Sequence, residues 1–389
     1  MKIVWNKFFD LIKQLKDLGV LTSSNFLGMG ISAIFWFYLA SLIKVEQFGE
    51  IQYFMGVVGI AYVISAFGSP STITVYAGKK IKIHSTLFLI SISIAIISAV
   101  VLFSIFNRID IGLLVLGLII YDMVLYFLVG ENKFALYSKY FLMQKTLLVL
   151  FGLGFYYYFG FEGIIFGIVT SHIPFIIPII KIIQKQKIDF LILKEKKEFV
   201  FNNYLISLIG GFRGDIDKIL IMPILGLTLL GNYALAMQIH AVLMIFSNIL
   251  LKYMMSQDSR GNSNSSVRKI AVFSSIGISV FGITIVPILV SFFFPKYIEV
   301  IDAIQIASIS VFPGTIGYVY ISKFLGNEQS RIVLIGRIIA LALTISGMLV
   351  LPNFLGINGA VLVIVLASTV QTIFFITMNK KINGQIFPK

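Results

Sequence analysis

The sequence predicts an all-α polytopic membrane protein with about twelve transmembrane helices in two pseudo-symmetric six-helix lobes. Three observations lead to this fold class. Only 12% of the 389 residues are charged and 58% are hydrophobic, whereas a soluble protein carries about 25% charged residues. The apolar residues form long unbroken runs, and roughly 20 apolar residues match the hydrocarbon thickness of a bilayer. Two short sequence patterns also recur about half a chain apart.

The apolar runs place the membrane spans along the chain. Every backbone group in hydrocarbon must be hydrogen-bonded within its own segment, which favours helices. The ten-residue alternating strands that are typical of a membrane barrel are absent from the sequence. We therefore predict twelve helices, near residues 20–43, 51–77, 85–106, 111–130, 143–160, 162–180, 200–222, 230–251, 270–294, 300–322, 332–351 and 358–379.

Lysine and arginine predict the orientation, because cytoplasmic loops carry an excess of both. If the N-terminus is cytoplasmic, the outside loops hold only Lys44, Arg108 and Lys296. The inside loops then hold most of the other basic residues, including the stretches 78–82 and 181–199. We expect both termini to be cytoplasmic. This topology explains the net charge of +14 without a nucleic acid partner, and none is expected.

The segment 1–19 differs from the predicted spans. Lysines are spread along it and no small-residue cleavage site follows, so it does not resemble a secretory signal. Val4, Trp5 and Phe8 share one helical face, while Lys13 lies on another. This pattern predicts an amphipathic helix over 1–19 that lies in the membrane interface.

Repeated glycine patterns predict an internal duplication. Gly49 and Gly231 lie in similar loops, and Gly160 with Gly163 matches Gly356 with Gly359, each pattern recurring close to half a chain later. Because six spans is an even number, the repeats would be parallel, with a path between them. We predict an N-terminal lobe over 20–180, a basic cytoplasmic linker over 181–199 and a C-terminal lobe over 200–389. Alternatively, glycine simply marks short turns between spans.

The sequence carries no enzyme signature. It has no phosphate-binding loop, no HExxH and no GxSxG motif. There is no cysteine, and the three histidines are far apart in sequence, so no metal site or other cofactor is expected. No segment outside the predicted spans is much longer than the linker 181–199, which leaves no room for an attached catalytic domain. Two bundles without a nucleotide site favour a secondary transporter over an enzyme.

One predicted span contains four charged residues, in the stretch SLIGGFRGDIDK at 207–218. Charges at membrane depth cost several kcal/mol unless they are paired or hydrated. The spacing predicts two pairs on the helix surface, Arg213 with Asp217 and Asp215 with Lys218. One interpretation is a hydrated cavity wall that binds an anionic head group or carries coupling protons. The other is ion pairing that docks span seven onto span one.

Arg213 is the strongest candidate among these residues. A guanidinium binds phosphate through two parallel hydrogen bonds and stays charged, and Asp217 is expected to orient it. Asn25, Asp122 and His240 are weaker candidates for a substrate or ion site within spans. Asp122 could be a proton site or the partner of a base on a neighbouring helix. For His172, beside two prolines, we favour a packing or capping role.

The stretches GFRGDIDKILIMPILGLTLLGNYALAMQI (211–239), VEQFGEIQYF (45–54) and FLGINGAVL (354–362) resemble a known family. With the twelve spans, two halves and basic linker, they resemble polysaccharide flippases of the Wzx type. That family belongs to the multidrug/oligosaccharidyl-lipid/polysaccharide (MOP) exporter superfamily, whose MATE-like fold the resemblance implies. Few further basic residues lie inside the predicted spans, which departs from the strongly cationic lumen of the family.

The resemblance implies a function and a location. Family members move undecaprenyl-pyrophosphate-linked oligosaccharide units from the inner to the outer leaflet of the bacterial inner membrane, for O-antigen, lipopolysaccharide or capsule synthesis. Polysaccharide polymerase or assembly proteins would be partners. Arg213, Asp215, Asp217 and Lys218 match the seventh-span motif. The drive would be an H+ or Na+ gradient, or removal of the product outside.

Three other functions fit parts of the sequence. A drug or small-solute exporter of the same superfamily would share the fold. A membrane polymerase or ligase acting on lipid-linked glycans would have a similar number of spans, but it would carry a large outer loop with catalytic basic residues, which this sequence lacks. A scaffold without transport activity would not need charged residues inside a span.

Overall fold

The computed structural model describes the backbone of residues 2–258, 265–327 and 329–385. Side chains are described for these residues except 2–18, 252, 253, 255–258, 265, 266 and 383–385. All regular structure in the described ranges is helical, with no strand. The all-α fold class predicted from the sequence is confirmed.

The N-terminal half of the chain contains eight α-helices. A short 3₁₀ turn, Ile173–Phe175, lies between the last two. The helices are α1 (Lys2–Leu42), α2 (Val45–Ser65), α3 (Pro70–Gly78), α4 (His84–Phe106), α5 (Ile109–Gly130), α6 (Phe134–Phe159), α7 (Gly163–Thr170) and α8 (Ile176–Gln184).

The described residues of the C-terminal half form seven α-helices, two of them much longer than a single membrane crossing. A 3₁₀ turn, Pro295–Val300, precedes the fifth of them. The helices are α9 (Phe190–Glu195), α10 (Lys197–Leu243), α11 (Ile245–Asp258), α12 (Ser265–Phe293), α13 (Ile301–Ile309), α14 (Val311–Gly326) and α15 (Ser330–Gln385).

Nine helical segments of the described chain are long and apolar enough to cross a membrane. Two of these, in α10 and α15, are interrupted by non-helical glycines at Gly226 and Gly356, so each provides two spans. The 26-residue helix α6 is not among the nine but is also long enough to cross. Together these segments account for the twelve predicted spans of a multi-pass membrane protein.

Large apolar side chains cover the outer faces of these helices. Ile97, Leu150 and Ile288 are each more than 60% exposed. In water such faces would oppose folding, whereas in a bilayer they contact lipid tails of equal polarity. Their exposure therefore agrees with a chain that is solvated by lipid.

The second predicted span is not one helix, contrary to the prediction over 51–77. It divides into α2 and α3 around residues 66–69. The backbone N–H of Gly68 donates to the Ser91 hydroxyl at 3.1 Å. The Ser69 hydroxyl accepts from the N–H of Thr72 at the start of α3, at 3.3 Å. Side chains thus satisfy the backbone groups that the break leaves open, as a break within a membrane requires.

The sixth span bends where prolines interrupt it. The 3₁₀ turn contains Pro174, and Pro178 follows in α8. His172 is buried at the end of α7, with Nδ1 2.9 Å from the carbonyl oxygen of Ile168. Its Nε2 lies 3.3 Å from the Gln144 amide nitrogen. These contacts agree with the packing role favoured for His172.

The N-terminal segment continues directly into the first span. The helix α1 runs without interruption from Lys2 to Leu42. The amphipathic helix predicted over 1–19 depends on the side chains of 1–18, which lie outside the described residues. An interfacial position for this segment stays a prediction.

The chain folds into two compact units. One comprises the residues up to Trp36 together with Val58–Gly211, and the other comprises Phe37–Val57 with 212–389. Relative to the lobes expected from the duplication, the end of α1 and much of α2 (37–57) belong to the second unit, and 200–211 belong to the first. The division into lobes at the linker 181–199 stays a prediction.

Within the second unit, α2 and α10 meet through a reciprocal contact. A side chain at Gly49 would strike the carbonyl oxygen of Leu227, and one at Gly231 would strike that of Val45. The interval along the chain from Val45 to Leu227 equals the interval from Gly49 to Gly231. Each contact is therefore the image of the other under the predicted repeat, as in an interface between two copies of one protein.

The second glycine pattern also repeats in backbone conformation. Gly160 has φ 72° and Gly356 has φ 56°, and both lie where one span turns into the next. This left-handed region is open to glycine at little cost but strained for most residues. The turn thus requires glycine at the equivalent position of both halves.

The partner glycines of this pattern share a packing environment as well. A side chain at Gly163 would meet the carbonyl oxygen of Phe155, and one at Gly359 would meet that of Leu351. Leu351 follows Phe155 at the same interval that separates the two glycines. Repetition of contacts favours duplication over the alternative that glycine only marks short turns.

We expect Gly49→Ala and Gly231→Ala each to lower the free energy of unfolding by about 1–3 kcal/mol, because the added methyl group overpacks a backbone contact. Thermal unfolding of the purified protein in detergent measures this. Gly277→Ala is the matched control, since a Cβ there meets nothing within 4 Å. It should leave stability unchanged or raise it by up to about 1 kcal/mol. Equal effects at all three positions would contradict the reciprocal contact.

Candidate functional site

Helix α10 carries the four charged residues of the 207–218 stretch to the middle of a span. At 1.5 Å per residue, Arg213 lies about 24 Å from the start of α10 at Lys197 and about 20 Å before the break at Gly226. The charges thus lie near the centre of the apolar segment, where they need partners.

Asp215 and Lys218 satisfy each other. The Lys218 ammonium donates to the Asp215 carboxylate at 2.9 Å. The Lys218 side chain is 19% exposed and that of Asp215 is 27% exposed. The pairing predicted from the i,i+3 spacing is confirmed. Because both residues belong to α10, this pair does not dock one span onto another. The pair is partly accessible.

Glycine in α2 allows close approach to this ion pair. A Cβ at Gly56 would lie 3.0 Å from Cβ of Lys218 and 3.2 Å from the carbonyl oxygen of Asp215. Helix α2 therefore packs directly against the charged turn of α10 within the second unit. In the docking interpretation of the sequence, the neighbour expected for span seven was span one, whereas α2 belongs to span two.

Asp217 is engaged by different partners from those predicted. It is 5% exposed and accepts a hydrogen bond from the Tyr233 hydroxyl at 2.6 Å. The backbone N–H of Lys218 donates to its other oxygen at 2.8 Å. The expected pair with Arg213 is not formed, so that prediction was wrong. In a straight helix Tyr233 would lie about 24 Å from Asp217, and the break at Gly226 brings it within reach.

Arg213 instead binds a residue on another helix. Its Nη1 donates to the side-chain oxygen of Gln371 in α15 at 2.8 Å. No carboxylate of the described residues lies within 4 Å of the guanidinium, whose five N–H groups are thus mostly unused. Gln371, rather than Asp217, orients Arg213.

A second guanidinium lies near the first. The charge of Arg337, in the first part of α15, acts on Arg213, and Tyr318 of α14 lies in electrostatic range of both. Arg337 forms no hydrogen bond or ion pair with the described residues. The amide nitrogen of Gln371 is also buried without an acceptor among them.

These groups make a site in the second unit that is rich in donors and poor in acceptors. Arg213 and Arg337 contribute two positive charges that no described carboxylate neutralises, and Gln371 contributes an unused amide donor. An unpaired charge in an apolar interior is costly. A negatively charged ligand would remove that cost, so the geometry is suited to an anion.

The first unit contains a separate polar group around Asp122. The Tyr62 hydroxyl of α2 donates to the Asp122 carboxylate of α5. A cavity of about 10 Å³ adjoins them, lined also by Ser69 and Tyr126, and this is about the space that one water needs. The partner of Asp122 is therefore a hydroxyl rather than the base that one interpretation expected.

Lys145 of α6 adds a cation near this group. Its charge acts on Asp122, although the two are not within 4 Å of each other, and its ammonium lies 5.4 Å from the ring centroid of Phe141. Asn25 belongs to the same unit: its amide donates to the carbonyl oxygen of Leu21 at 2.7 Å and its oxygen accepts from Tyr137 at 3.1 Å. These bonds do not join Asn25 to Asp122, and its role in binding stays a prediction.

His240 lies in the second unit, but it bonds to Ser310 and not to Arg213, Arg337 or Gln371. Its Nε2 is 2.7 Å from the Ser310 hydroxyl, which also bonds to the carbonyl oxygen of Ala307. This contact joins α10 to the turn between α13 and α14. A cavity role for His240 stays a prediction.

Several residues of these two groups were missed in the sequence. Arg337 lies inside the predicted span 332–351, and Lys145 lies inside the predicted span 143–160 and well within α6. A charged residue within an apolar run is itself a signal of function and could have identified both. Gln371 and Tyr233 are neutral, so only the fold shows that they contact Arg213 and Asp217.

Comparison with known proteins gives one partial family match. Residues 14–115 match the model of a family described as polysaccharide biosynthesis protein. This stretch is less than half of the chain. No curated protein matches the sequence.

Solved structures match over nearly the whole chain. An inward-facing multidrug resistance MATE family transporter of the MOP superfamily aligns with a TM-score of 0.71 at 15% identity, covering 92% of this chain and 94% of the other. A MOP superfamily transporter from Pyrococcus furiosus, with a binding pocket of reverse polarity that suggests a different function, aligns with a TM-score of 0.63 at 16% identity, covering 96% and 97%. The chain thus has the fold of these transporters.

The Asp215–Lys218 pair makes a testable contribution to stability. Asp215→Asn removes the carboxylate that the Lys218 ammonium contacts and leaves it only the charge of Asp217; we expect the free energy of unfolding to fall by about 1–2 kcal/mol, since the pair is partly exposed. Asp215→Asn with Lys218→Gln removes both charges and should recover most of the loss. Thermal unfolding in detergent gives the stabilities of the parent, the single variants and the double variant, which form a double-mutant cycle. The exposed Glu198→Gln is the control. A double variant no more stable than the single one would contradict the pairing.

Proposed function

We propose that this protein moves a lipid-linked oligosaccharide, carried on undecaprenyl pyrophosphate, from the inner to the outer leaflet of a bacterial inner membrane. The anionic head group would bind at Arg213 and Arg337, and the protein would act as a secondary transporter rather than an enzyme. It would need no cofactor.

One observation carries the proposal. Arg213 and Arg337 lie in an apolar segment with no described carboxylate to neutralise them. A pyrophosphate offers several negatively charged oxygens, and guanidinium groups bind phosphate through paired, charge-assisted hydrogen bonds. The unused amide donor of Gln371 would complete the anion's shell. A cationic or neutral cargo would leave both arginines unneutralised.

Two comparisons support the proposal from other directions. The match of residues 14–115 to a polysaccharide biosynthesis family points to glycan assembly. The fold is shared with MATE transporters of the MOP superfamily, which points to transport. We propose on these grounds that the chain belongs to that superfamily as a Wzx-type flippase.

The transport cycle would proceed by alternating access. The sugar head would enter with its pyrophosphate neutralised by the arginines, while the polyprenyl tail stays in the bilayer because its transfer to water is unfavourable. Partial exposure of Asp215 and Lys218 keeps polar groups available along the path of the sugar. The Asp215 carboxylate and the Lys218 ammonium can both hydrogen-bond to sugar hydroxyls, which suits a saccharide cargo.

Coupling and partners follow from the same proposal. An H+ or Na+ gradient would act through Asp122, Asp215 or Asp217, which are carboxylates within spans; alternatively, removal of the product outside would drive transport. A polysaccharide polymerase or other assembly protein would take the product. Both termini would be cytoplasmic, as the lysine and arginine distribution predicts.

A drug exporter is the second candidate, and the Asp122 group favours it. A carboxylate beside Tyr62 and Tyr126 provides a negative charge and aromatic rings, the chemistry that recognises organic cations. The adjoining cavity has the space of about one water, so it would have to widen during transport to admit a drug. Expression in a drug-sensitive strain distinguishes the two. Resistance that depends on Asp122, with no effect on surface glycan, would favour export of cations.

Complementation of a flippase-deficient strain tests the proposed function. We expect Arg213→Ala and Arg337→Ala each to abolish surface polysaccharide and to cause accumulation of the lipid-linked precursor, because each removes a charge that holds the head group. Membrane levels of the protein should be unchanged.

The exposed Arg331→Ala is the matched control, since it lies on the same helix as Arg337, outside the site. It should restore surface glycan as well as the parent chain does. Wild-type behaviour of Arg213→Ala would overturn the site assignment. Failure of the parent chain itself in every glycan background would overturn the substrate class.

A further inference from the structure

The segment 185–197, called here the linker segment, is held firmly against the first unit. The backbone N–H of Asp189 donates to the Thr86 hydroxyl at 2.8 Å, and that hydroxyl donates to the Asp189 carbonyl at 3.2 Å. The Asp189 carboxylate caps α9, accepting from the backbone N–H of Leu191 at 2.8 Å and that of Ile192 at 3.1 Å. A segment fixed in this way is not a loose tether.

The linker segment has two apolar faces. Ile192 and Leu193 pack against a buried cluster of the same unit, formed by Tyr76, Ile83, Leu87 and Val200. On the other side, Ile188 is 49% exposed, Phe190 57% and Leu191 75%. Burial of the inward face therefore fixes three large apolar side chains in an outward position.

Lysines surround the exposed apolar side chains. The segment holds five lysines against two acids, and one acid, Asp189, is occupied in capping α9. All five lysines are exposed: Lys185, Lys187, Lys194, Lys196 and Lys197. Apolar rings and aliphatic groups flanked by lysine are typical of helices that lie in the interface of an anionic membrane.

The neighbouring helices determine what can cover this surface. Helix α8 ends at Gln184 and α10 begins at Lys197, and both belong to candidate membrane spans. The linker segment thus starts and ends at spans and lies beside the bilayer surface. We infer that it binds anionic phospholipid, with Ile188, Phe190 and Leu191 in the acyl boundary and the five lysines at the head groups.

Charge complementarity favours lipid over a protein partner. Lysines lie on both sides of Ile188, Phe190 and Leu191 along the chain. When these apolar side chains insert into the membrane, the lysines can therefore contact lipid head groups on either side of them. Each lysine near an anionic leaflet increases partitioning to the membrane roughly fivefold. Recognition therefore depends on the lipid charge.

A single reporter tests the inference in the full chain. The sequence contains no cysteine, so Leu191→Cys provides one labelling site for bimane after reconstitution into vesicles. With phosphatidylglycerol present, we expect strong quenching by doxyl-labelled lipid and weak quenching by acrylamide. In phosphatidylcholine alone, the ratio of the two quenching constants should fall about tenfold or more. A label at Phe190→Cys should behave in the same way.

Charge variants separate lipid recognition from simple burial. Replacing Lys185, Lys187 and Lys194 with Gln in the Leu191→Cys chain should remove most of the phosphatidylglycerol effect. The matched control replaces Lys139, Lys380 and Lys381, which are also exposed, and should keep it. Three results would each overturn the inference. The first is equal acrylamide quenching in both kinds of vesicle. The second is protection of the label from both acrylamide and doxyl-labelled lipid, as a protein contact would give, and the third is quenching by doxyl-labelled lipid that does not depend on lipid charge. None of these outcomes depends on what the protein transports.

Discussion

Hydrocarbon offers no hydrogen bonds, and this constraint shapes every part of the molecule. Each peptide group within the bilayer must find its partner in the protein. Helices solve this locally, and where a helix stops inside a span a side chain takes over, as Ser91 and Ser69 do at the break between α2 and α3. Charged side chains face the same demand at higher cost. Asp122, Asp215 and Asp217 meet it through named partners, whereas Arg213 and Arg337 contact no described carboxylate.

The contrast between the two units follows from that demand. In the first unit, Asp122 is satisfied by the Tyr62 hydroxyl and lies near the Lys145 charge. In the second, Asp215 and Lys218 pair with each other and Asp217 is bonded by the Tyr233 hydroxyl, so neither carboxylate contacts the two arginines. The arginine group thus makes the interior of the second unit locally positive. This difference is the physical basis for placing an anion there and leaving cation chemistry to the first unit.

Hydropathy was sufficient for the all-α membrane fold, because the length and number of spans follow from apolar runs. The break at 66–69 could not be predicted in this way, since it depends on the Ser91 hydroxyl of a neighbouring helix. The same holds for the site. Spacing predicted the Asp215–Lys218 pair, which is local, but not the Arg213–Gln371 bond, which joins residues 158 positions apart. Local electrostatics are visible in a sequence, whereas partners across helices require the fold.

The reciprocal contact of Gly49 with Leu227 and of Gly231 with Val45 has an evolutionary consequence. An isologous contact of this kind arises when two identical chains pair about a twofold axis. If the predicted duplication occurred, a gene encoding half of the present spans, whose product dimerised, would have had this contact before the halves were fused. Fused halves would then be free to diverge, one accumulating arginines and the other keeping acid and hydroxyl groups. A difference in charge between the two halves is what such a history would leave behind.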